Sequence, residues 1–323
     1  MPAKDHNTGI GNTNRTMFYN ACIVTCTFML VVACKGSASN ETVPQQDSLY
    51  QSKAFTPAKS FTAGAEGPAV DKEGNVYAVN FRTEGTIGRM APNGDTSLYL
   101  QLPKGSTGNG IRLYKNNLYI ADYTGHNILQ LDPAAKILSV FAHEARMNQP
   151  NDIAVDSKGR FYASDPNWKE STGQLWRIDA DGKTVLLAKD LGTTNGVEVS
   201  PDEKRLYVNE SVQRKVWIFD LSPEGAISNK RLLLSFPDHG MDGMRCDAAG
   251  NLYITRHGKG TVAKISPDGK LMQEITLNGK LPSNIAFGGP DGRTAYVTLQ
   301  DNGNMESFRV DEPGREWKLQ AAW

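Results

Sequence analysis

Six oxygen-bearing side chains recur at nearly regular spacing along this chain. Each begins an apolar stretch, and consecutive members are 42 to 47 residues apart: Glu66, Asn109, Asn151, Asn195, Asp242 and Asn284. Carboxylate and amide oxygens are the ligands of hard cations such as Ca²⁺ and Mg²⁺. Two of the six are acids, so a convergent set would balance the charge of one divalent ion. A single Asn at such a position is more often a turn residue bonded to local backbone, but six in register favour a metal site.

Each of these residues opens a copy of one pattern. An apolar strand, a turn and a second apolar strand follow, as in NDIAVDSKGRFYASD from Asn151, and most copies add a second hairpin, such as GQLWRIDADGKTVLLA at 173–188. Four short strands every 40–50 residues are typical of a propeller blade. The sequence therefore predicts an all-β, six-bladed β-propeller of four-stranded blades, with the metal site in the central channel. The outermost strand of one blade is expected from the opposite terminus, because this pairing closes the ring.

The N-terminal region has a different composition. Residues 18–33 are mainly apolar, too few for a comfortable membrane span, and end in small residues before Cys34. This pattern predicts a lipoprotein-type signal peptide over 1–33, lipidation at Cys34 and a polar tether over 34–60. The propeller hydrolase domain is then expected over 61–323. The predicted location is an exported lipoprotein, anchored in a bacterial membrane on the periplasmic or cell-surface side, and the alternative is an ordinary cleaved signal peptide.

Composition excludes several classes of function. Lys plus Arg and Asp plus Glu both number 35, so the basic excess typical of nucleic-acid binding is absent. Of four cysteines, Cys246 is left alone and is predicted to be a small buried hydrophobe. The histidines show no metal-binding spacing. His239 and His257 are predicted near the mouth-side ends of blades, where a surface role is favoured and contact with substrate is the alternative. No GxSxG elbow indicates a serine hydrolase, and the residues leave the oligomeric state open.

Five motifs, in order along the chain, resemble the gluconolactonase and regucalcin (senescence marker protein) family. The resemblance covers about residues 64–310 and rests on these pieces: EGPAVD at 66–71, NDIAVDSKGRFYASDP at 151–166, TNGVEVSPDEKRLYV at 194–208, MDGMRCDAAGNLYIT at 241–255 and SNIAFGGPDGRTAYVT at 283–298. It implies a six-bladed propeller with one catalytic divalent cation, Ca²⁺ first, with Zn²⁺, Mn²⁺ or Mg²⁺ as alternatives.

The resemblance also implies roles for individual residues. Its metal ligands fall on Glu66, Asn195 and Asp242, and Asn151 binds metal or substrate. Asn109 and Asn284 are then expected to line the substrate pocket. Many sugar lactonases of the family carry an Arg two residues before the third-blade Asn, and here that position is Gln149. Gln149 is therefore a substrate-binding candidate whose type alters the expected sugar-acid specificity.

These residues lead to a hypothesis of lactone hydrolysis. The metal would polarise the ring carbonyl while water attacks, with Asp242 as general base and Glu66 as an electrostatic ligand. Attack by hydroxide carried on the metal is the alternative to a base role for Asp242. A phosphotriesterase or arylesterase could use the same site, and a non-catalytic ligand- or protein-binding propeller is the rival outside enzymes, because a fold alone does not decide function.

Overall fold

The computed structural model describes residues 48–323, which form six four-stranded antiparallel sheets. The predicted signal peptide over 1–33, the lipidation at Cys34 and the tether up to residue 47 lie outside the described residues. Within 48–323, no helix is both long enough and apolar enough to cross a membrane.

The sheets follow one another along the chain, and a short first strand belongs to the last sheet. That strand is β1 (Lys53–Ala54). Blades 1 and 2 contain β2 (Phe61–Val70), β3 (Val76–Phe81), β4 (Thr86–Met90), β5 (Thr96–Gln101), β6 (Gly108–Tyr114), β7 (Asn117–Asp122), β8 (Asn127–Asp132) and β9 (Ile137–His143). Blades 3 and 4 contain β10 (Ile153–Val155), β11 (Phe161–Asn167), β12 (Thr172–Ile178), β13 (Thr184–Leu191), β14 (Thr194–Val199), β15 (Arg205–Glu210), β16 (Lys215–Leu221) and β17 (Ile227–Ser235). Blades 5 and 6 contain β18 (Met244–Cys246), β19 (Leu252–Arg256), β20 (Thr261–Ile265), β21 (Leu271–Thr276), β22 (Pro282–Gly288), β23 (Thr294–Leu299) and β24 (Asn304–Arg309).

The first strand of each blade lies at the centre of the molecule. These inner strands contact one another in a closed cycle, β2 to β6, β10, β14, β18, β22 and back to β2. Six apolar clusters fill the spaces between neighbouring blades; Val79 packs with Ile120 between blades 1 and 2, and Val76 with Tyr296 between blades 6 and 1. The predicted six-bladed propeller is confirmed. Cys246 is buried in the cluster between blades 4 and 5, as predicted.

The ring is closed by the N-terminal segment of the described chain. β1 pairs antiparallel with β24, so it is the outer strand of blade 6. The Ser52 hydroxyl donates to Glu306 Oε2 at 2.6 Å, and the Phe55 N–H donates to the carbonyl of Met305 at 2.8 Å. The sequence predicted this kind of closure but counted residues up to 60 as tether. The tether therefore ends before residue 60. The sequence did not reveal β1 because this strand has too few residues, and too polar a composition, to show periodicity.

A short helix, α1 (Arg315–Gln320), follows the last blade. Arg315 Nη1 donates to the carbonyl of Val155, and Gln320 Nε2 donates to the carbonyl of Val70, both at 2.9 Å. Both carbonyls lie at the ends of inner strands, so α1 covers that end of the central channel, called here the lower end. The channel is consequently open to ligands at the other, upper end.

Phe55 tests the closure. Its ring packs edge-to-face on Tyr296 with 4.7 Å between centroids. Because Phe55 is half-buried, we expect Phe55→Ala to lower the free energy of unfolding by about 2 kcal/mol, roughly half the cost for a fully buried Phe. Urea unfolding measures it, with the exposed Gln51→Ala as control. Equal midpoints for the two variants would contradict a closing role for this segment.

Candidate functional site

The six oxygen-bearing residues lie at irregularities of the inner strands. In blades 1, 2, 4 and 6 the inner strand has one extra residue relative to its partner. In blade 1 it directly follows the ring residue, since Glu66 pairs with Val79 and Ala69 with Tyr77, and in the other three blades the ring residue lies within the irregular stretch. In blades 3 and 5 the strand begins only after Asn151 and Asp242. Such bulges redirect side chains.

Glycine follows the ring residue in four of the six copies, at positions 67, 110, 196 and 243. The reason is close approach between neighbouring blades. The Gly196 N–H donates to the carbonyl of Asp242 at 3.1 Å, and a Cβ on Gly196 would lie 2.7 Å from that oxygen. On Gly243, a Cβ would lie 2.0 Å from Cγ of Asn284. The inner strands therefore meet closely enough to converge their side chains only because these positions lack a Cβ.

Five of the six ring residues line one cavity of about 420 Å³ at the upper end of the channel. They are Glu66, Asn109, Asn151, Asn195 and Asp242. Asn284 is buried, its Oδ1 accepts from Arg245 at 3.1 Å and from the Ile285 N–H at 2.9 Å, and its Nδ2 has no hydrogen-bond partner among the described residues. Gln149 is not among the lining residues, and its backbone N–H donates to Asp165 at 2.6 Å.

The walls of this cavity come from the turn between the second and third strands of each blade. Every blade contributes one such residue: Glu84, Tyr123, Trp168, Ser211, His257 and Gln300. The sequence motifs did not identify these residues as a set. For His257 the sequence favoured a surface role over substrate contact, whereas His257 lines the cavity and bonds Gln300 at 3.1 Å. The sequence contained a signal for these wall residues, because five of the six directly follow the second strand of their copy.

The two carboxylates of the ring are buried without a cationic partner. Burial raises the pKa of Glu66 well above its usual range, and repulsion from Asp242 and Asp152 adds to the rise. Burial also raises the pKa of Asp242, again with repulsion from Asp152. No ion pair between residues 48 and 323 includes Glu66 or Asp242. Two like charges in a dry site favour protonation of one, or a bound cation.

The surrounding amides fit a cation. Asn151 Oδ1 and Asn195 Oδ1 are buried and have no hydrogen-bond partner in the described part of the chain. Buried polar atoms are nearly always paired, so two unpaired oxygens beside two carboxylates form a donor set of the kind hard cations take. Within 48–323, no group of three or more His, Cys, Asp or Glu residues is arranged to hold a metal ion by itself. Amides would therefore have to supply half of the four predicted ligands.

Below the ring, six charged residues form a buried layer that we call the floor. Its cations and anions are equal in number: Arg112, Arg245, Arg315, Asp152, Glu198 and Glu316. Asp152 bridges Arg112 and Arg245 at 3.1 Å on each side, and Arg112 Nε contacts Glu316 of α1 at 2.5 Å. Arg315 also contacts Glu203 at 3.1 Å, so the floor has no spare positive charge to balance Glu66 and Asp242.

Gly243 tests the close approach of blades 5 and 6. We expect Gly243→Ala to lower the free energy of unfolding by about 1–3 kcal/mol, since the new methyl group overlaps Asn284. Gly240→Ala is the matched control, because nothing lies nearer than 3.7 Å to its Cβ position. Urea unfolding of both variants measures the difference, and a similar loss in each would refute the steric explanation.

Arg245 tests the floor. We expect Arg245→Met to cost about 3–5 kcal/mol, because it leaves the buried Asp152 carboxylate with only one guanidinium. The control is Arg231→Met, which removes an exposed ion pair with Asp220 of 2.7 Å and should change little. Chemical unfolding with unchanged m-values measures both. A loss no larger than that of the control would mean that the floor does not stabilise the fold.

Comparison with known proteins agrees with this architecture. Residues 65–301 match the SMP-30/Gluconolactonase/LRE-like region. A gluconolactonase of Zymomonas mobilis is 28% identical over 74% of this chain and 76% of its own, and a 6-deoxy-6-sulfogluconolactonase of Pseudomonas putida is 30% identical over 71% and 80%. Regucalcin of Agrobacterium tumefaciens, described as a calcium-binding protein, has the same fold, with a TM-score of 0.70 and 21% identity over 80% of this chain and 95% of its own. The chain belongs to the SMP-30/gluconolactonase/LRE-like family.

Proposed function

We propose that this protein hydrolyses a lactone at the upper-end cavity, with one divalent cation, Ca²⁺ first, bound by Glu66, Asn151, Asn195 and Asp242. The observation that carries the proposal is the pair of buried carboxylates beside two unpaired amide oxygens at the base of an open cavity. The lactonase names of the relatives support the same reaction. A divalent cation bound there would polarise the lactone carbonyl and balance the negative charge that develops on its oxygen.

The chain's own residues would divide the remaining work. Asp242 is the candidate general base, since its buried carboxylate lines the cavity that the substrate would enter. Glu66 accepts from the Gly67 N–H and is the candidate for a purely electrostatic ligand. Asn109 lines the same cavity and is the candidate to hydrogen-bond the substrate.

The N-terminal pattern supports a location for this activity. An apolar run ending in small residues before Cys34 fits a lipoprotein signal. We therefore place the enzyme on the outer side of a bacterial membrane, attached through lipid at Cys34, where it would meet small lactones from outside the cytoplasm. Radiolabelled palmitate incorporation that is lost in Cys34→Ser would test the anchor.

Removing the cation or its ligands tests the reaction. Proton release from glucono-δ-lactone, followed by pH-stat, should stop after chelation and return when Ca²⁺, or one of Mg²⁺, Mn²⁺ and Zn²⁺, is restored. Glu66→Gln should weaken metal binding, measured by calorimetry, at least about 100-fold, because even residues behind the ligands contribute 10–100-fold. Glu73→Gln is the control, an exposed carboxylate at the lower end of the same blade.

Asp242→Asn separates the base from the ligand role. Loss of a general base should lower kcat by about 10²–10⁴ at saturating metal. Full turnover of this variant with metal bound would remove Asp242 from the base role and leave it as a ligand. Tight metal binding without turnover of any lactone would instead favour another ester class or a binding propeller.

A further inference from the structure

The charge of the cavity wall has a direct bearing on which lactones enter. Among the described residues that line the cavity, none is Lys or Arg, and three are carboxylates: Glu66, Asp242 and Glu84. A divalent cation would balance Glu66 and Asp242 at the base. Glu84 would remain, so the loaded cavity would carry an excess of one negative charge.

Glu84 is fixed in place by its neighbours. The Thr62 hydroxyl donates to Glu84 Oε1, and both carboxylate oxygens lie over Gly64, 3.2 and 3.3 Å from the position of a Cβ there. Asn80 adopts a positive φ of 62° and ties the turn down, donating to the carbonyl of Gly64 at 2.7 Å and accepting from the Gly85 N–H at 3.0 Å. A carboxylate held in this way has a constant position relative to the cavity.

An aromatic surface forms the wall in the next two blades. Trp168 lines the cavity and is 39% exposed, although large apolar side chains are usually covered. Tyr123 of the preceding blade lines the same cavity. An exposed indole face in the cavity wall is suited to the C–H face of a cyclic substrate.

We infer that this cavity selects uncharged lactones, with the lactone ring against Trp168, and that Glu84 excludes both anionic lactones and the carboxylate product. The inference rests on the proposed function and restricts its substrates to uncharged lactones. It also separates this chain from the P. putida relative, whose name includes a sulfo group on the lactone. Anionic groups are bound most strongly by charge-assisted hydrogen bonds. The described lining has no Lys or Arg to make one, and its single His, His257, bonds Gln300.

The experiment compares an uncharged lactone with the anionic lactone that carries one added phosphate group, and the Glu84 variants isolate the part that is due to charge. We expect kcat/KM for glucono-δ-lactone to exceed that for 6-phosphoglucono-δ-lactone by at least roughly tenfold, the size of a like-charge contact in a partly wet site. Glu84→Gln should reduce this preference several-fold, and Glu84→Lys should abolish or reverse it. Salt should weaken the preference in the unaltered protein. Asp95→Asn, in an exposed turn at the lower end of blade 1, is the control.

Trp168 is tested on the uncharged substrate. Trp168→Ala should raise KM about tenfold with kcat and metal affinity nearly unchanged, and Trp168→Phe should recover most of the loss, because one ring replaces another. A KM unaffected by Trp168→Ala would refute the stacking. Equal rates for the two lactones, or a preference unchanged in Glu84→Lys, would overturn the inference while lactone hydrolysis itself stands.

A protein that hydrolyses no lactone would give a different pattern of results. If no lactone is hydrolysed, the proposed function fails, and calorimetry with the acids still tests the cavity. In the metal-loaded protein, gluconate should bind more tightly to Glu84→Gln than to the unaltered protein, and 6-phosphogluconate should gain more than gluconate. Identical affinities in both proteins would overturn the inference by this second route.

Discussion

Two carboxylates, Glu66 and Asp242, are buried in one ring without a cationic partner. Much of the structure around them either compensates for their negative charge or confines it to the ring. Burial raises the pKa of both groups, and repulsion from Asp152 adds to each rise. A stable fold can neutralise such a pair with an arginine, as this chain does one layer below. In the ring it instead places amides, whose unpaired oxygens add electron density without adding charge. That choice leaves a deficit of two positive charges, which a divalent ion matches.

The floor explains why this deficit is confined to the ring. Three guanidinium groups and three carboxylates pair among themselves, and α1 supplies one of each through Arg315 and Glu316. The helix therefore does more than cover the lower end of the channel. Without it, Arg112 and Glu198 would each lose a partner in a buried site, where an unpaired charge is costly. The channel is thus closed to ligands from below, and chemistry is restricted to the upper end.

The repeat in the sequence was sufficient to predict the fold and the ring. Six equivalent strand starts must meet on one axis when the sheets close, so Glu66 and Asp242 could be placed together from spacing alone. The floor could not be predicted in this way. Arg112, Glu198 and Arg245 each lie three residues after a ring residue, and strict alternation would point them to the opposite face. The extra residue in β6 and β14 turns the third position back towards the axis. A bulge of this kind has no reliable mark in one sequence. The cavity-lining position of His257 could be predicted, because His257 directly follows the second strand of its copy.

The third copy of the repeat differs from the others at the residue after the ring position, and this difference has structural consequences. Four copies have Gly after the ring residue, whereas the third has Asp152. The Asp152 side chain fits because the preceding blade has glycine at position 110. A side chain there would place its Cβ 2.9 Å from Asp152 Oδ1. The carboxylate then reaches Arg112 and Arg245 in the floor and, from the same position, raises the pKa of both ring acids. One substitution in one copy thus joins the two layers. Asp152 stabilises the floor through its ion pairs. Its negative charge also lies just below the ring, where it makes a cation between Glu66 and Asp242 more favourable.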